Sequence, residues 1–250
     1  MGKIVSVHSF RGGTGKSNVS ANLAYSLAEA GKKVCVVDTD IQSPGVHVLL
    51  GERTADGATL NDFLWGKCSI QDVSRDVSDR FGLPAGQLNL VPCSMDMSEI
   101  LQVLKQGYDV DLLNAGFRKI VESLALDYLI IDTHPGVNEE TLLSIAISDA
   151  LLVIMRPDQQ DYQGTAVTLE VARRLQVPEL QILVNKVPSC FEEVQLSEQV
   201  VETYGCPVVA VLPLCEPMVV LGSEKLLIRE LPQEGWSQGV RKVAQQLIYL

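Results

Sequence analysis

Residues 11–17 constrain this chain more than any other stretch, because they read Arg-Gly-Gly-Thr-Gly-Lys-Ser between an apolar run and a helical pattern. The apolar run, 3–9, predicts a short buried strand. Apolar residues then recur at helical spacing from 19 to about 31. A strand, a glycine-rich turn and a helix together form the frame of a phosphate-binding loop. The sequence therefore predicts a site for a phosphorylated ligand.

The residue types inside this loop suit the phosphates of a nucleotide. Its glycines admit positive φ and let backbone N–H groups approach phosphate oxygens. Lys16 would supply a charge to the β- and γ-phosphates, and Ser17 a hydroxyl to Mg²⁺. The N-terminus of the following helix adds about half a positive charge that faces the same anion. The candidate nucleotide-binding residues of the loop are Gly12, Gly13, Thr14, Gly15, Lys16 and Ser17.

The loop departs from the general pattern, which has a glycine where this chain has Phe10. It fits a narrower pattern, which is a basic residue followed by Gly-Gly-x-Gly-Lys-Ser. In this pattern the loop resembles the deviant Walker A box of the MinD/ParA family of positioning ATPases. The resemblance implies ATP, Mg²⁺ and an ATP-dependent homodimer, in which the first basic residue of the loop reaches the partner's nucleotide. That residue is a lysine in the family and Arg11 here, so Arg11 joins Lys16 as a catalytic candidate. Arg156, at the end of another predicted strand, is the rival for the same role.

Acidic residues stand at the ends of two further apolar runs, 33–40 and 127–132. Continuous apolar runs are typical of parallel strands that are covered on both faces, and ligands bind at their C-terminal ends. The second run has the Walker B arrangement, in which Asp132 holds Mg²⁺. By resemblance, Asp38 helps to organise the magnesium shell and Asp40 positions or activates the attacking water. A simple loop cap is the alternative role for Asp40.

The resemblance singles out three more positions. His134 replaces a proline of the family's switch turn, and we expect a solvent-facing histidine there, with γ-phosphate sensing or titration as the alternative. The predicted strand 181–186 ends in Asn-Lys, and the family places an asparagine there against the edge of adenine, so Asn185 is the candidate base contact. Pro213 follows the predicted strand 207–212 and by resemblance lines the adenine pocket.

The alternation of strands and helices predicts an α/β fold, a doubly wound and mostly parallel sheet with helices on both faces, as in P-loop NTPases of the deviant Walker A type. No repeat or composition break marks a linker, so we expect one domain over residues 1–250. Residues 51–94 are the least regular and form a candidate surface for a partner or for the dimer. The remaining predictions are strands at 88–92 and 150–155 and helices at 59–66, 94–106, 110–124, 165–175, 192–204 and 236–250.

Composition limits the class of partner. The chain has 20 basic and 31 acidic residues, a net charge of −11, which argues against a broad nucleic-acid surface but not against a small basic patch. No apolar run is long enough for a membrane span, and the six cysteines form no C-x-x-C pair, so we expect reduced thiols in a cytoplasmic protein. The C-terminal apolar stripe is expected to pack in the core, so we expect no membrane partner.

The resemblance implies a switch that dimerises with ATP, hydrolyses it weakly until an adaptor stimulates it, and positions a plasmid, a chromosome or a protein organelle. The change to Arg11 resembles the carboxysome-positioning branch (McdA). Weak non-specific DNA binding, and with it nucleoid association, would use basic residues from Arg173, Arg174, Lys186, Arg229, Arg241 and Lys242. The alternative is a metal-cluster carrier or reductase of the same fold, which commonly carries a cysteine where this chain has His134.

Overall fold

The computed structural model describes residues 2–54 and 57–249; Leu250, which the sequence places in the last helix, lies outside them, as do Met1 and residues 55–56. The strands of the described residues are Lys3–His8 (β1), Lys33–Asp38 (β2), Arg75–Asp76 (β3), Gln87–Val91 (β4), Tyr128–Asp132 (β5), Ala150–Met155 (β6), Glu179–Val187 (β7) and Val208–Pro213 (β8). They form one sheet in the order β3-β4-β2-β5-β1-β6-β7-β8, in which only β3 pairs antiparallel.

The helices of the described residues connect these strands. They are Lys16–Glu29 (α1), Val46–Leu49 (α2), Leu60–Leu64 (α3), Ser78–Phe81 (α4), Met97–Gln106 (α5), Val110–Ser123 (α6), Glu139–Ala146 (α7), Gln159–Arg174 (α8), Glu193–Tyr204 (α9), Glu216–Val220 (α10), Leu227–Glu230 (α11) and Gly235–Tyr249 (α12).

Alternate residues of each strand point to opposite sides of the sheet. Because both sets are apolar in the central strands, helices cover both faces. In β5, Ile130 packs in the core beneath α1 and α12, whereas Leu129 and Ile131 pack beneath α3 and α6. A third cluster joins β6 and β7 to α8 and α9. The predicted doubly wound, mostly parallel sheet is confirmed, and its central strands β5 and β6 are buried throughout.

The edge strand β3 and the start of helix α8 differ from the sequence prediction. The edge strand β3 has two residues and no apolar alternation, so periodicity could not reveal it. Helix α8 begins at Gln159, not at 165, because the side chain of Asp158 caps it by accepting the backbone N–H groups of Gln160 and Asp161. Gly164, which suggests a loop in the sequence, lies inside this helix.

The C-terminal helix α12 packs in the core, as the sequence predicts. Its apolar stripe is buried beneath the sheet and consists of Trp236, Val240, Val243 and Leu247. Four of the six cysteine thiols are buried as well, and all six are free. In the part of the chain that the structure describes, no helix combines the length and the apolarity needed to cross a bilayer.

Candidate nucleotide site

The glycine-rich loop leaves β1 at the C-terminal edge of the sheet and enters α1 at Lys16. Gly13 and Gly15 have φ values of 78° and 98°. This left-handed conformation is strained for a residue that carries a Cβ. A Cβ on Gly15 would also lie 2.6 Å from Nδ2 of Asn185. Within the loop, Thr14 Oγ1 donates to Ser9 Oγ at 2.9 Å. The loop is therefore a fixed turn that excludes larger residues at position 15.

Two consecutive residues of β7 hold the carbonyl groups of this loop. Asn185 Nδ2 donates to the carbonyl of Thr14, and Lys186 Nζ donates to the carbonyl of Gly13, both at 2.8 Å. Neighbouring side chains of a regular strand point to opposite faces, so a regular β7 could not supply both contacts. The pairing of β7 with β8 is irregular at this point and Lys186 has φ of 57°, which turns both side chains towards the loop.

Phe10 is the bulky residue that stands where the general pattern has glycine, and a glycine of helix α8 makes room for it. Its ring packs against helix α8 at Gly164, where a Cβ would lie 2.4 Å from the ring. The missing glycine of the loop and the unexpected glycine of the helix therefore form one contact. The side chain of Phe10 keeps 37% of its surface exposed at the edge of the site.

Asp132, at the end of β5, lies below the loop and is fully buried. Its Oδ1 accepts from Ser20 Oγ at 2.9 Å, while its Oδ2 has no hydrogen-bond partner among the described residues. Burial raises the pKa of Asp132, and the nearby Lys16 opposes this shift. Lys16 is itself buried, and burial lowers the pKa of its amine. An unpartnered buried carboxylate oxygen beside this lysine fits the binding of Mg²⁺ together with phosphate.

Asp38 holds the loop that follows β2. Its buried carboxylate accepts the backbone N–H groups of Asp40 at 3.1 Å, Gly45 at 2.8 Å and Val46 at 3.0 Å. Burial raises the pKa of Asp38, and the charge of Asp132 adds to the effect. The contribution of Asp38 to this site is thus the shape of the loop that carries Asp40, and its place in the magnesium shell stays a prediction.

Asp40 and His134 face each other across the site. Asp40 Oδ1 lies 3.8 Å from His134 Nε2, and the two side chains are 14% and 21% exposed. The expectation of a solvent-facing histidine is therefore wrong. His134 Nδ1 lies 2.7 Å from the carbonyl of Pro135, which fixes the proton on Nδ1 in the neutral ring. Asp40 also accepts the N–H of Ser43 at 3.1 Å, so it does cap its loop.

Arg11 and Arg156 share two acidic neighbours on the rim of the site. Arg156 binds the buried Asp161 through Nε at 3.0 Å and Nη2 at 3.1 Å, and Asp158 at 3.2 Å. Arg11 lies farther away, 3.8 Å from Asp161 and 3.9 Å from Asp158, and its side chain is 41% exposed. The guanidinium of Arg156 is thus held by a bidentate ion pair with Asp161, whereas the guanidinium of Arg11 makes only long contacts and is able to move.

A cavity of about 210 Å³ adjoins the loop at Gly15 and extends to α10. Asn185 and Pro213, the two candidate base contacts, both line it. The structure adds Trp236 of α12, whose Nε1 donates to Oδ1 of Asn185 at 3.1 Å. No sequence pattern reveals this contact, because the periodicity of α12 identifies Trp236 only as a core residue.

The candidate basic residues for DNA do not form one patch. Arg173 and Arg174 end α8, whereas Arg229 and Arg241 lie near one another on the opposite face. Several of these charges have partners within the chain: Arg174 pairs with Glu170, Arg241 with Glu29, and Lys186 with the loop.

Comparisons with known proteins show the family of the chain. A family model described as an AAA domain matches residues 2–183. An uncharacterized ATP-binding protein of Methanocaldococcus jannaschii is 30% identical over 210 residues, which cover 84% of this chain and 73% of the relative. The septum site-determining protein MinD of Thermotoga maritima is 23% identical over 228 residues, which cover 88% and 78%.

Among solved structures, MinD of Pyrococcus horikoshii in complex with Mg-ADP superimposes with a TM-score of 0.80 at 22% identity and covers 99% of this chain and 96% of that one. At this identity the match shows the fold. Together with the family model and the relatives, it identifies the chain as a member of the MinD/ParA family of ATPases.

Proposed function

We propose that the protein is an ATP-dependent switch, which dimerises when ATP is bound and uses hydrolysis, stimulated by an adaptor, to position an intracellular cargo. The observation that carries the proposal is the unpartnered oxygen of Asp132 beside the buried Lys16, at the end of a loop with the deviant Walker A pattern. The proposed cargo is a plasmid, a chromosome or a protein organelle.

The residues divide the work between binding and hydrolysis. Backbone N–H groups of the loop and Lys16 would bind the β- and γ-phosphates, and Ser17 and Asp132 would hold Mg²⁺, with Asp38 keeping the neighbouring loop in place. When bound, Mg²⁺ neutralises charge on the phosphates. Asp40 Oδ1 and His134 Nε2 are two acceptors 3.8 Å apart, a separation that lets one water donate to both and turn its lone pair towards the γ-phosphate.

Asp40→Asn separates the two roles of Asp40. The amide keeps an oxygen that can accept the N–H of Ser43, so the loop retains its cap. It loses the charge that acts on water, and we expect ATP hydrolysis to fall about 100-fold while ATP·Mg²⁺ still binds. Phosphate release and calorimetry measure the two properties. A variant that hydrolyses ATP at the wild-type rate would leave Asp40 only its role as a loop cap.

Dimerisation is tested by the mass of the protein in solution with each nucleotide. With ATP·Mg²⁺, in the slowly hydrolysing Asp40→Asn variant, light scattering should report twice the monomer mass, whereas with ADP·Mg²⁺ it should report the monomer. The reason is that the arginine that reaches the partner's nucleotide, Arg11 or its rival Arg156, needs a γ-phosphate to contact. ADP has no γ-phosphate. A mass that does not respond to the nucleotide would contradict the switch.

Weak, non-specific DNA binding is proposed for the ATP-bound dimer, where two copies of the basic residues add up. Because such binding releases counterions from phosphate, affinity should fall about 10³-fold or more from about 50 mM to about 200 mM salt if six or more phosphates are contacted, and less if fewer are. Fluorescence anisotropy of a labelled duplex measures it, with Arg174→Glu as the test variant and Lys119→Glu on α6 as the control. Binding that ignores salt would exclude this mechanism.

A further inference from the structure

The cavity beside the loop has the properties of a pocket for a planar base. It starts at Gly15, which belongs to the phosphate loop, so a ligand whose phosphates occupy the loop would extend into it. Its walls include the apolar residues Pro213, Leu214 and Met218, which suit an aromatic ring. Asn185 brings an amide to the same cavity and is 1% exposed.

The amide of Asn185 is held in one orientation by its two partners. Trp236 can only donate, so it requires the oxygen Oδ1, and the carbonyl of Thr14 can only accept, so it requires the nitrogen Nδ2. The flipped amide would place donor against donor and acceptor against acceptor. After these two bonds, one N–H donor and one oxygen lone pair of the amide remain for a ligand.

Orientation matters because adenine and guanine present opposite patterns. The six-position of adenine is a donor next to a ring acceptor, whereas that of guanine is an acceptor next to a ring donor or a ring acceptor. An amide that can rotate serves either base, since rotation exchanges its donor and acceptor. An amide that is held in one orientation matches the hydrogen-bonding pattern of one base and mismatches that of the other. Discrimination between the bases therefore depends on whatever prevents rotation.

We infer that Trp236 is a positioning residue that strengthens the preference of the site for ATP over GTP, because its Nε1–Oδ1 hydrogen bond, together with the carbonyl of Thr14, fixes the amide of Asn185. This inference rests on the proposed ATP-dependent function and deepens it. The same amide holds the carbonyl of Thr14, so the C-terminal helix, the base pocket and the phosphate loop are joined by two consecutive hydrogen bonds. Binding of a base to Asn185 should therefore change the surroundings of the Trp236 indole.

The first test uses the fluorescence of Trp236. The chain has two tryptophans, and the other, Trp65, ends α3 beneath the opposite face of the sheet, so Trp65→Phe leaves Trp236 as the sole reporter. Titration with ATP·Mg²⁺ should shift or quench the emission, and the same concentrations of GTP·Mg²⁺ should not. If calorimetry shows that ATP·Mg²⁺ binds and the emission does not change, the inference is wrong and the proposed function stands.

The second test is Trp236→Phe, which keeps an aromatic ring in the core and removes the N–H donor together with part of the indole, with Trp65→Phe as the matched control for the loss of ring volume. The ratio of the affinities for ATP and GTP should fall about tenfold or more. Binding of inorganic tripolyphosphate with Mg²⁺ should persist, because the loop still binds phosphate. A ratio equal to that of the control would overturn the inference. If neither variant nor wild type binds any of the three ligands, the proposed function fails with it.

Discussion

We expect Lys16→Ala to abolish measurable binding of ATP·Mg²⁺ in isothermal titration calorimetry. The amine is buried among the carboxylates of Asp132, Asp40 and Asp38, so it is the charge that makes this acidic pocket acceptable to a phosphate. Truncating one member of a buried charge pair costs about 2–5 kcal/mol, which is roughly 30-fold or more in affinity. The three carboxylates, no longer neutralised by the amine, then repel the phosphates as well, which increases the loss.

Lys16→Met separates the charge from the packing of the side chain. Methionine fills most of the volume of the buried stem, so thermal unfolding should remain close to wild type while ATP binding is lost as in Lys16→Ala. Lys119→Ala, an exposed lysine on α6 far from the loop, is the control for removing a positive charge and should bind normally. The phosphate-loop interpretation fails if Lys16→Met binds ATP·Mg²⁺ as tightly as the control.

The fold could be predicted from the sequence because its main elements have strong local signals. Central parallel strands such as β5 and β6 are buried on both faces and therefore read as continuous apolar runs. The elements that were missed lack such a signal. Strand β3 is two residues long, and the start of α8 depends on a cap at Asp158 and on a glycine that packs against Phe10, a residue more than 150 positions away.

The site was predictable where its residues are contiguous and not where the fold brings them together. The loop and the acids at the ends of β2 and β5 each follow a local pattern, so the sequence places Lys16 and Asp132 in one site. The bond from Trp236 to Asn185 joins residues 51 positions apart, and no local pattern reveals it. His134 was misplaced for the same reason, since its neighbour Asp40 comes from another strand.

The two arginines on the rim are distinguished by the ion pairs that they form within one protomer. Arg156 occupies both oxygens of the buried Asp161 and donates its backbone N–H to the same group. Removing it would leave a buried carboxylate with weaker partners, which destabilises the fold by about 1–3 kcal/mol. Arg11 makes only long contacts of 3.8–3.9 Å and is the more exposed, so moving it towards a partner's phosphates costs little.

Arg11→Ala should therefore bind ATP as a monomer but lose ATP-driven dimerisation and adaptor-stimulated hydrolysis, with thermal stability close to wild type. Arg156→Ala should show the reverse, a lower melting temperature with dimerisation retained below it. Arg11→Lys restores the residue of the family and should recover part of the dimerisation, since a charge is again available although without the planar fork of arginine. Light scattering with ATP·Mg²⁺ and thermal unfolding separate the two patterns. If Arg156→Ala loses dimerisation at a temperature where it is folded, and Arg11→Ala does not, the bridging charge belongs to Arg156 and the long contacts of Arg11 are only part of the rim.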